Sequence, residues 1–467
     1  MSNQSIQRRE FLKVMGIGTA ALGFSTIHPK LVGKTANGSV VESPGEYGGF
    51  LVEQINNKNY PYEYDPKVLE RMSEKSTTFS RNYWDPDRRN RPELTENLTS
   101  QNLVEGKGTI PNQTRLDYAL MAASWHGARS GGGLSYRWDI HPSGMVRGQG
   151  HDKLGRWDPS DLNMTWKDAS LAVKHAALFY GASLAGISEL NPLWIYSDHF
   201  TSTRKDGNYA IPVLADGDRF GMSDDAWYIP ASMNRVIVSA FEEDHYGIAN
   251  SPGRLASAAV GNGYSRMAFT ANTLAEFIRA LGYRAIPAGN GLGLSIPMAI
   301  DAGLGQLGRL GNLITPKYGP RVRLAKVITD MPLVADSPID FAVTEFCETC
   351  ILCAKHCPSG SISDGPRTWK GKSPSNNPGA FKWYIESEKC YDFNGFSCSN
   401  CKRVCPFTKP NNSWLHQMIR KIIEGRISPL NRLMVRFDQV SGYGYQLQDK
   451  KFWKMNGQKT ITARESI

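Results

Sequence analysis

A chain of 467 residues is long enough for two or three domains, and 40% apolar with 21% charged residues is typical of a folded globular protein rather than a disordered one. The formal charge is +10, but residues 1–36 carry four of these ten charges, and no basic run interleaved with aromatics indicates a nucleic-acid partner. After residue 30 no apolar run reaches eighteen residues, which argues against a membrane-spanning helix in the mature chain.

The N-terminal segment predicts an export signal. Arg8 and Arg9 are followed by Phe-Leu-Lys at 11–13 and by a short, glycine-rich apolar stretch at 14–24. This pattern resembles the twin-arginine signal, although Gln7 stands where Ser or Thr is usual. Because that route exports folded proteins, it suits a chain whose metal clusters are inserted before export. We therefore predict a signal peptide over residues 1–36.

Residues 37–160 predict a loop-rich region that contributes to a pocket. The stretch 85–92 has the composition of a surface loop, and Trp84 and Trp138 are candidate pocket aromatics. His141 lies in a D-x-H-x-x-G pattern that ligates cobalt in some cobalamin proteins. The glycines upstream and Pro142 after it do not match the strand and helix which that motif needs, so a surface turn is the better interpretation.

Residues 161–340 predict a layered domain of alternating helices and strands. Thr165 and Asp168 form a Ser/Thr-x-x-acid cap before a helix that ends at Gly181. The other elements are a buried strand over 236–241, a helix over 265–281, a strand over 283–287, a helix over 296–302 and a strand over 322–329.

Two glycine-rich turns separate the last of these elements, and they contain Gly289, Gly291, Gly293, Gly303 and Gly305. The first turn lacks the third glycine of a dinucleotide-binding fingerprint. Glycine at these positions allows the backbone to approach a large flat ligand closely, or it simply forms turns. The spacing does not separate these two interpretations.

All eight cysteines lie between positions 347 and 405 in two sets that each end in C-x3-C-P. In two-cluster ferredoxins the cysteine before the proline ligates the neighbouring cluster. We therefore assign Cys347, Cys350, Cys353 and Cys405 to one [4Fe–4S] cluster, and Cys390, Cys398, Cys401 and Cys357 to the other.

Disulfides and zinc are the alternatives for these cysteines. Disulfide frameworks spread their cysteines and do not repeat this spacing, and zinc sites do not need the proline-marked exchange. The second set has seven residues between Cys390 and Cys398 where a ferredoxin has two, which predicts an inserted loop over 391–397. The two clusters would carry electrons, so any substrate chemistry must come from the residues before them.

The cysteine segment and the residues before it resemble the respiratory reductive dehalogenases. The tracts that carry the resemblance are VTEFCETC at 343–350, CPFTK at 405–409, GLGQ at 303–306, ITP at 314–316 and DMPL at 330–333. The likeness is strongest over 260–410, and the leader agrees with it. This combination is more specific than the cluster motif alone.

The resemblance implies a mixed α+β or α/β fold with a nitroreductase-like domain at 161–340 that binds a base-off, cobalamin-type corrinoid. A two-[4Fe–4S] ferredoxin-like domain at 341–412 and a C-terminal extension at 413–467 would follow. The implied reaction replaces carbon–halogen by carbon–hydrogen. Since the family's lower cobalt position lacks a protein histidine, the resemblance also weakens His141 as a ligand.

Three site residues follow from the resemblance. Tyr264, in GYSRM at 263–267, matches the family's proton-donating tyrosine, Arg323 matches a basic partner beside it, and Asn290 matches a polar residue at the halogen pocket. A neighbouring cation stabilises a phenolate and so eases proton release from a tyrosine. The Gly289–Gly293 and Gly303–Gly305 turns are the candidate corrinoid contacts.

The partners implied are a halogenated small molecule, a small integral-membrane anchor subunit and an upstream respiratory electron donor. The protein would lie at the outer face of the cytoplasmic membrane, peripherally attached; whether it forms a homo-oligomer stays open. An exported electron-transfer subunit and an epoxyqueuosine reductase are the competing interpretations. The first leaves some 300 residues without a role, and the leader argues against the second because that enzyme acts on transfer RNA in the cytoplasm.

Overall fold

The computed structural model describes the greater part of the chain between residues 61 and 408 and shorter stretches outside it. The described residues are 38–42, 51–55, 61–89, 115–129, 164–200, 208–210, 213–215, 217–222, 226–394, 398–408, 431, 435–436, 444–447 and 452–453. The predicted signal peptide over 1–36, Trp138 and His141 lie outside these residues.

The strands and α-helices run in chain order as follows. The strands are β1 (Gly38–Glu42), β2 (Leu51–Ile55), β3 (Leu184–Glu189), β4 (Asp198–Phe200), β5 (Asn208–Ala210), β6 (Val213–Ala215), β7 (Gly221–Met222), β8 (Trp227–Pro230), β9 (Arg235–Glu242), β10 (Ala285–Ala288), β11 (Gln306–Leu307), β12 (Leu313–Ile314), β13 (Val322–Thr329) and β14 (Ile339–Asp340). The helices are α1 (Thr78–Trp84), α2 (Pro86–Arg89), α3 (Arg115–Arg129), α4 (Trp166–Phe179), α5 (His245–Ala249), α6 (Arg254–Ala280), α7 (Ser295–Asp301), α8 (Val343–Thr349), α9 (Leu352–Lys355), α10 (Ser387–Asn394) and α11 (Asn400–Arg403).

A four-stranded sheet with the order β10-β13-β9-β3 has α7 on one face and α4 and α6 on the other. Along β9, Val236 and Val238 pack into an apolar cluster with residues of α7, whereas Ile237 packs into a second cluster with residues of α4 and α6. Both faces of β9 are therefore buried, which explains why its sequence is a continuous apolar run rather than an alternating one.

The layered α/β prediction is confirmed only in the coarse sense of mixed helix and sheet. Every neighbouring pair in the central sheet is antiparallel, so the arrangement is α+β in the strict sense. The strand predicted over 322–329 coincides with β13, and the strand predicted over 236–241 lies within β9. The helix cap at Thr165 is also confirmed, because its hydroxyl accepts from the amide of Asp168 at 3.1 Å.

The long helix α6 begins eleven residues before its predicted start. Its first turns are rich in small buried residues, including Ala256, Ala259 and Gly261. A Cβ atom at Gly261 would lie 2.6 Å from the ring of Trp125 on α3. This part of the helix is shaped by close packing against α3 and not by the spacing of large apolar residues, so the periodicity did not reveal it.

The N-terminal region contains more regular structure than its composition predicted. Strands β1 and β2 form a sheet with β14. The surface loop predicted over 85–92 is wrong for Pro86–Arg89, which forms α2. The reason is pairing: Asp85 binds Arg81 at 2.5 Å, and the buried Arg88 binds Asp392 of α10 at 2.6 Å.

The cysteine segment packs against the core through polar contacts. The hydroxyl of Ser251 donates to Asn400 of α11 and accepts from the amide of Ser399, both at 2.8 Å. The loop predicted over 391–397 is wrong in its first part, since α10 continues to Asn394. Among the described helices, none combines the length and apolar character needed to cross a bilayer.

Candidate active site and cluster-binding segment

The four cysteines predicted to hold the first cluster line one apolar cavity. Its walls are Leu310, Phe346, Pro406 and Phe407 together with Cys347, Cys350, Cys353 and Cys405. The structure thus groups Cys405 with the three cysteines of the first set, although more than fifty positions separate it from them in the chain. Four thiols around an apolar space fit the donor set of an iron–sulfur cluster, and the ligation itself stays a prediction.

The other four cysteines form a second group. The charge of Cys357 raises the pKa of Cys390, Cys398 and Cys401, and the charge of Cys398 raises the pKa of Cys390 and Cys401. These four thiols therefore lie close together. The charge of Cys401 contributes to the raised pKa of Cys353, so the two groups are neighbours. This grouping corresponds to the predicted exchange of the fourth ligand between the sets.

All eight cysteines are free thiols in the structure, and burial governs their protonation. Burial raises the pKa of Cys347 and of Cys390 to about 11 and that of Cys401 to about 12. Metal coordination deprotonates such a thiol outright. Cys357 differs: burial raises its pKa, but hydrogen bonds from Ser359 and nearby backbone amides outweigh this and lower it. The donor chemistry of both groups therefore fits iron ligation.

Arg309, which the sequence analysis missed, supports the first group. Its guanidinium is buried and donates to the carbonyl oxygen of Cys347 at 3.0 Å and to that of Gly365 at 2.7 Å. The guanidinium also lies over the ring of Trp383, 4.5 Å from the centroid. These contacts fix the backbone that carries Cys347.

The predicted site residues Tyr264, Arg323 and Asn290 converge at the edge of the core. The Tyr264 hydroxyl accepts from Asn290 Nδ2 at 2.9 Å and from Arg323 Nη1 at 3.1 Å. A tyrosine hydroxyl has two acceptor lone pairs and one proton. Because both lone pairs accept, the proton is the group's remaining hydrogen-bonding capacity. Asn290 is exposed, so the three polar groups lie at a surface and not within the core.

Three elements deliver these side chains. Tyr264 is on α6, Arg323 is on β13, and Asn290 follows β10. The Arg323 guanidinium lies over the Tyr264 ring, 4.6 Å from its centroid, and Trp125 of α3 stacks on the same ring with centroids 5.1 Å apart. The tyrosine is thus held on its ring as well as at its hydroxyl.

Gly263 makes the approach of Arg323 to the helix possible. An added Cβ at this position would lie 2.9 Å from Arg323 Cγ, which is closer than the 3.5–4.0 Å of an ordinary carbon contact. The glycine before the tyrosine therefore allows the arginine stem to pass across α6. A glycine one position before a candidate catalytic residue was the available sequence signal.

Arg323 is anchored by a carboxylate that the sequence analysis did not identify. Its Nε donates to Glu243 Oε1 at 2.7 Å, and the other oxygen of Glu243 binds Lys402 Nζ at 2.5 Å. Burial lowers the pKa of Arg323, but the phenolate form of Tyr264 and the carboxylate of Glu243 outweigh this and raise it. The guanidinium is therefore a fixed cation.

A buried lysine holds the loop that carries Asn290 through hydrogen bonds to its backbone. Lys326 Nζ donates to the carbonyl oxygens of Gly289 and Gly293, at 2.7 and 3.0 Å, and to Ser295 Oγ at 2.9 Å. Burial lowers the pKa of Lys326 to about 7. Three neutral acceptors satisfy all three donors of the ammonium group, and this fixes both ends of the turn.

The predicted corrinoid contacts have a different explanation in the structure. A Cβ at Gly293, Gly303 or Gly305 would lie 2.1–2.5 Å from carbonyl oxygens of Trp194, Ser337 and Ile314 respectively. The close approach is to the chain's own backbone. Gly291 is less restricted, with Glu74 Oε1 at 3.6 Å. A role of these glycines and of Gly289 in binding a corrinoid stays a prediction.

Trp84 lies at the end of α1 and is 41% exposed. Its indole donates to the carbonyl oxygen of Lys75 at 2.8 Å, and the Lys75 ammonium lies over the ring. No contact described for Trp84 joins it to Tyr264, Arg323 or Asn290. A role in the pocket stays a prediction.

Comparison with known proteins gives a consistent picture. No family model matches the chain. A tetrachloroethene reductive dehalogenase of Sulfurospirillum multivorans is 41% identical over 293 residues, which are 60% of this chain and 58% of the relative. One of Desulfitobacterium hafniense is 35% identical over 378 residues, covering 71% of this chain and 68% of the relative.

The chain belongs to the reductive dehalogenase family. A solved reductive dehalogenase, whose title concerns B12-dependent dehalogenation, has the same fold, with a TM-score of 0.60 at 18% identity over 86% of this chain. The chain spans 58% of the first relative and 50% of that solved protein.

Of the five glycines predicted as corrinoid contacts, three meet protein backbone at the position of an added Cβ, and their role in binding a corrinoid stays a prediction. Tyr264, Arg323 and Asn290 lie together, and the cysteines lie in two groups. The residues that sequence reasoning missed are those whose role depends on tertiary contact: Trp125, Glu243, Gly263, Arg309, Lys326 and Lys402.

Proposed function

We propose that the chain catalyses reductive dehalogenation of a small halogenated hydrocarbon as the terminal step of organohalide respiration. The observation that carries the proposal is the Tyr264 hydroxyl, which accepts from Arg323 and Asn290 at an exposed edge and keeps its own proton for donation. The relatives named for tetrachloroethene make a chloroalkene the first substrate class to test.

Overall, the reaction consumes two electrons and one proton: the carbon–halogen bond breaks, halide leaves, and a carbon–hydrogen bond forms. Tyr264 supplies the proton. Arg323 stabilises the phenolate that remains, since its guanidinium contacts both the hydroxyl and the ring face. Asn290 orients the hydroxyl and offers an amide at the pocket, where the halogen would lie.

The electrons come through the two cysteine groups. Cys347, Cys350, Cys353 and Cys405 would hold one [4Fe–4S] cluster, and Cys357, Cys390, Cys398 and Cys401 the other, in a two-cluster ferredoxin-like domain. The support is the grouping of thiols, with Cys353 of the first group neighbouring Cys401 of the second. Such adjacency gives single electrons a short path.

A base-off corrinoid in a nitroreductase-like domain is part of the proposal. When bound, it supplies cobalt in a low oxidation state for the reductive cleavage of the carbon–halogen bond. The fold of a solved family member supports the assignment of the domain. The protein's own part is to place the substrate and to deliver the proton.

The cellular context is proposed from the leader. The chain is exported by the twin-arginine route and lies at the outer face of the cytoplasmic membrane, attached through a small integral-membrane subunit. A respiratory donor reduces the clusters there. Arg8, Arg9 and the apolar stretch 14–24 support this placement.

The test uses holoprotein purified without oxygen, with a reduced viologen as electron donor. We expect two [4Fe–4S] clusters and one corrinoid per chain, and halide release from chlorinated alkenes in a panel that includes arenes and alkanes. A chain that holds both clusters but neither binds corrinoid nor releases halide would be an electron carrier, and the proposal would fall.

A further inference from the structure

Glu243 lies directly after β9 and has no exposed side-chain surface. Its two oxygens serve different partners: Oε1 accepts from Arg323 Nε, and Oε2 accepts from Lys402 Nζ. Burial raises the pKa of this carboxyl group, but Lys402 and Arg323 outweigh burial and lower it. The three groups form a cation–anion–cation chain with one net positive charge, in which Glu243 and Lys402 are buried and the Arg323 side chain is 26% exposed.

Such a chain is a poor way to stabilise a fold. Removing the charges of Glu243 and Lys402 from water is costly, and apolar side chains of similar volume often stabilise a protein equally well or better. The charges therefore call for another role, and their geometry supplies one. The guanidinium is planar and rigid, so fixing Arg323 Nε sets the direction in which Nη1 meets the Tyr264 hydroxyl.

Lys402, at the other end of this series of ion pairs from Arg323, belongs to the cysteine segment. Lys402 is the residue after Cys401, on the short helix α11, and its side chain is 6% exposed. The carboxylate of Glu243 thus connects the helix that carries a predicted cluster ligand with the arginine beside the tyrosine. The charge of Cys401 also contributes to the raised pKa of Arg323.

We propose that Glu243 is a positioning residue that orients Arg323 on Tyr264 and, through Lys402, ties this pair to the second iron–sulfur cluster. The inference deepens the proposed function and rests on it for the role of Tyr264. Three features carry it: the complete burial of the carboxylate, its two separate cationic partners, and the adjacency of Lys402 to Cys401.

Two variants distinguish the contact of Glu243 with Lys402 from its contact with Arg323. Lys402→Met removes the cation next to the cluster but leaves Oε1 of Glu243 on Arg323. Glu243→Leu/Lys402→Met removes the acceptor that anchors Arg323 and keeps the net charge of the group unchanged. Glu242→Gln is the matched control, because the neighbouring glutamate is 37% exposed and pairs with Arg321 instead.

We expect the double variant to retain both clusters and to lose about 10- to 100-fold in kcat with little change in KM. The reason is that a misplaced Arg323 stabilises the transition state less well, while substrate binding is unaffected. Lys402→Met should keep most of kcat. It should shift the reduction potential of the second cluster to a more negative value, whereas Lys402→Arg should leave that potential unchanged.

The positioning role is refuted if the double variant turns over as fast as Lys402→Met or Glu242→Gln. Should the double variant not assemble its clusters, Glu243→Asp, which keeps the charge but shortens the reach, must lower kcat in the same way. An unchanged potential in Lys402→Met refutes the link to the cluster. That titration does not depend on dehalogenation, so its failure is distinct from failure of the proposed function.

Discussion

Gly263→Ala tests whether the position of Arg323 controls the reaction. The added Cβ would lie 2.9 Å from Arg323 Cγ and 3.5 Å from its Cβ. To restore an ordinary contact of 3.5–4.0 Å, the arginine stem must retreat by roughly 0.6–1.1 Å. The hydrogen bond from Arg323 to Tyr264, at 3.1 Å, would then lengthen beyond about 3.6 Å and cease to be one.

Stability and rate should respond differently to this change. Alanine is favoured over glycine in a helix by about 1 kcal/mol, and displacing the arginine costs about the same, at the low end of overpacking. The free energy of unfolding should therefore change by less than about 1 kcal/mol. The rate constant kcat should fall by about 10- to 100-fold, because a displacement near 1 Å has that effect on a positioned group.

The assay is halide release by the anaerobic holoprotein, with thermal unfolding and cluster content measured on the same material. Asn262→Ala is the matched control, since it places alanine at the preceding, exposed position of the same helix and should leave kcat unchanged. A Gly263→Ala protein with the kcat of the control would show that the arginine stem moves without consequence and would refute the argument.

Three further changes test the proton donor, the cluster ligands and a buried acid. Tyr264→Phe should retain clusters and corrinoid while kcat falls by at least about 100-fold; unchanged halide release would remove Tyr264 from the reaction. Cys357→Ala should disturb the cluster of Cys390, Cys398 and Cys401 in electron paramagnetic resonance spectra, and a change confined to the other cluster would overturn the ligand assignment. Burial raises the pKa of Asp301 to about 6, so its contribution to stability is present below its unfolded pKa of about 4 and is lost as the pH rises through about 6. The stability of the wild type relative to Asp301→Asn should then fall by about 3 kcal/mol in all, roughly half of it between about pH 5 and pH 7.5; parallel melting curves across that range would contradict this.

The parts of the fold that follow from local pattern could be predicted from the sequence. The cap at Thr165 and the strand β13 needed only short-range signals, namely a hydroxyl three residues before an acid and an alternating run. The start of α6 could not be found in this way, because Gly261 is placed there by the ring of Trp125 on another helix. Spacing rules detect large apolar residues and overlook close packing of small ones.

The glycine turns show a second limit of sequence reasoning. Gly293 and Gly305 mark a close approach, and the partner that the structure shows is the carbonyl oxygen of Trp194 or Ile314 respectively. Absence of a side chain indicates that something is near. It does not indicate what, and only the tertiary structure supplies that answer.

The buried charges show why only some residues of the candidate site could be predicted from the sequence. Tyr264 and Arg323 were identifiable from a family resemblance, whereas Glu243 and Lys402 look like ordinary surface residues until their burial is known. A charge without solvent must have a partner, and for Glu243 the partners Arg323 and Lys402 are placed by different elements. Here the requirement is met across the boundary between the core and the cysteine segment. The groups proposed to deliver a proton and those proposed to deliver electrons are therefore connected through Glu243, and a displacement of α11 should change the position of Arg323 at the Tyr264 hydroxyl.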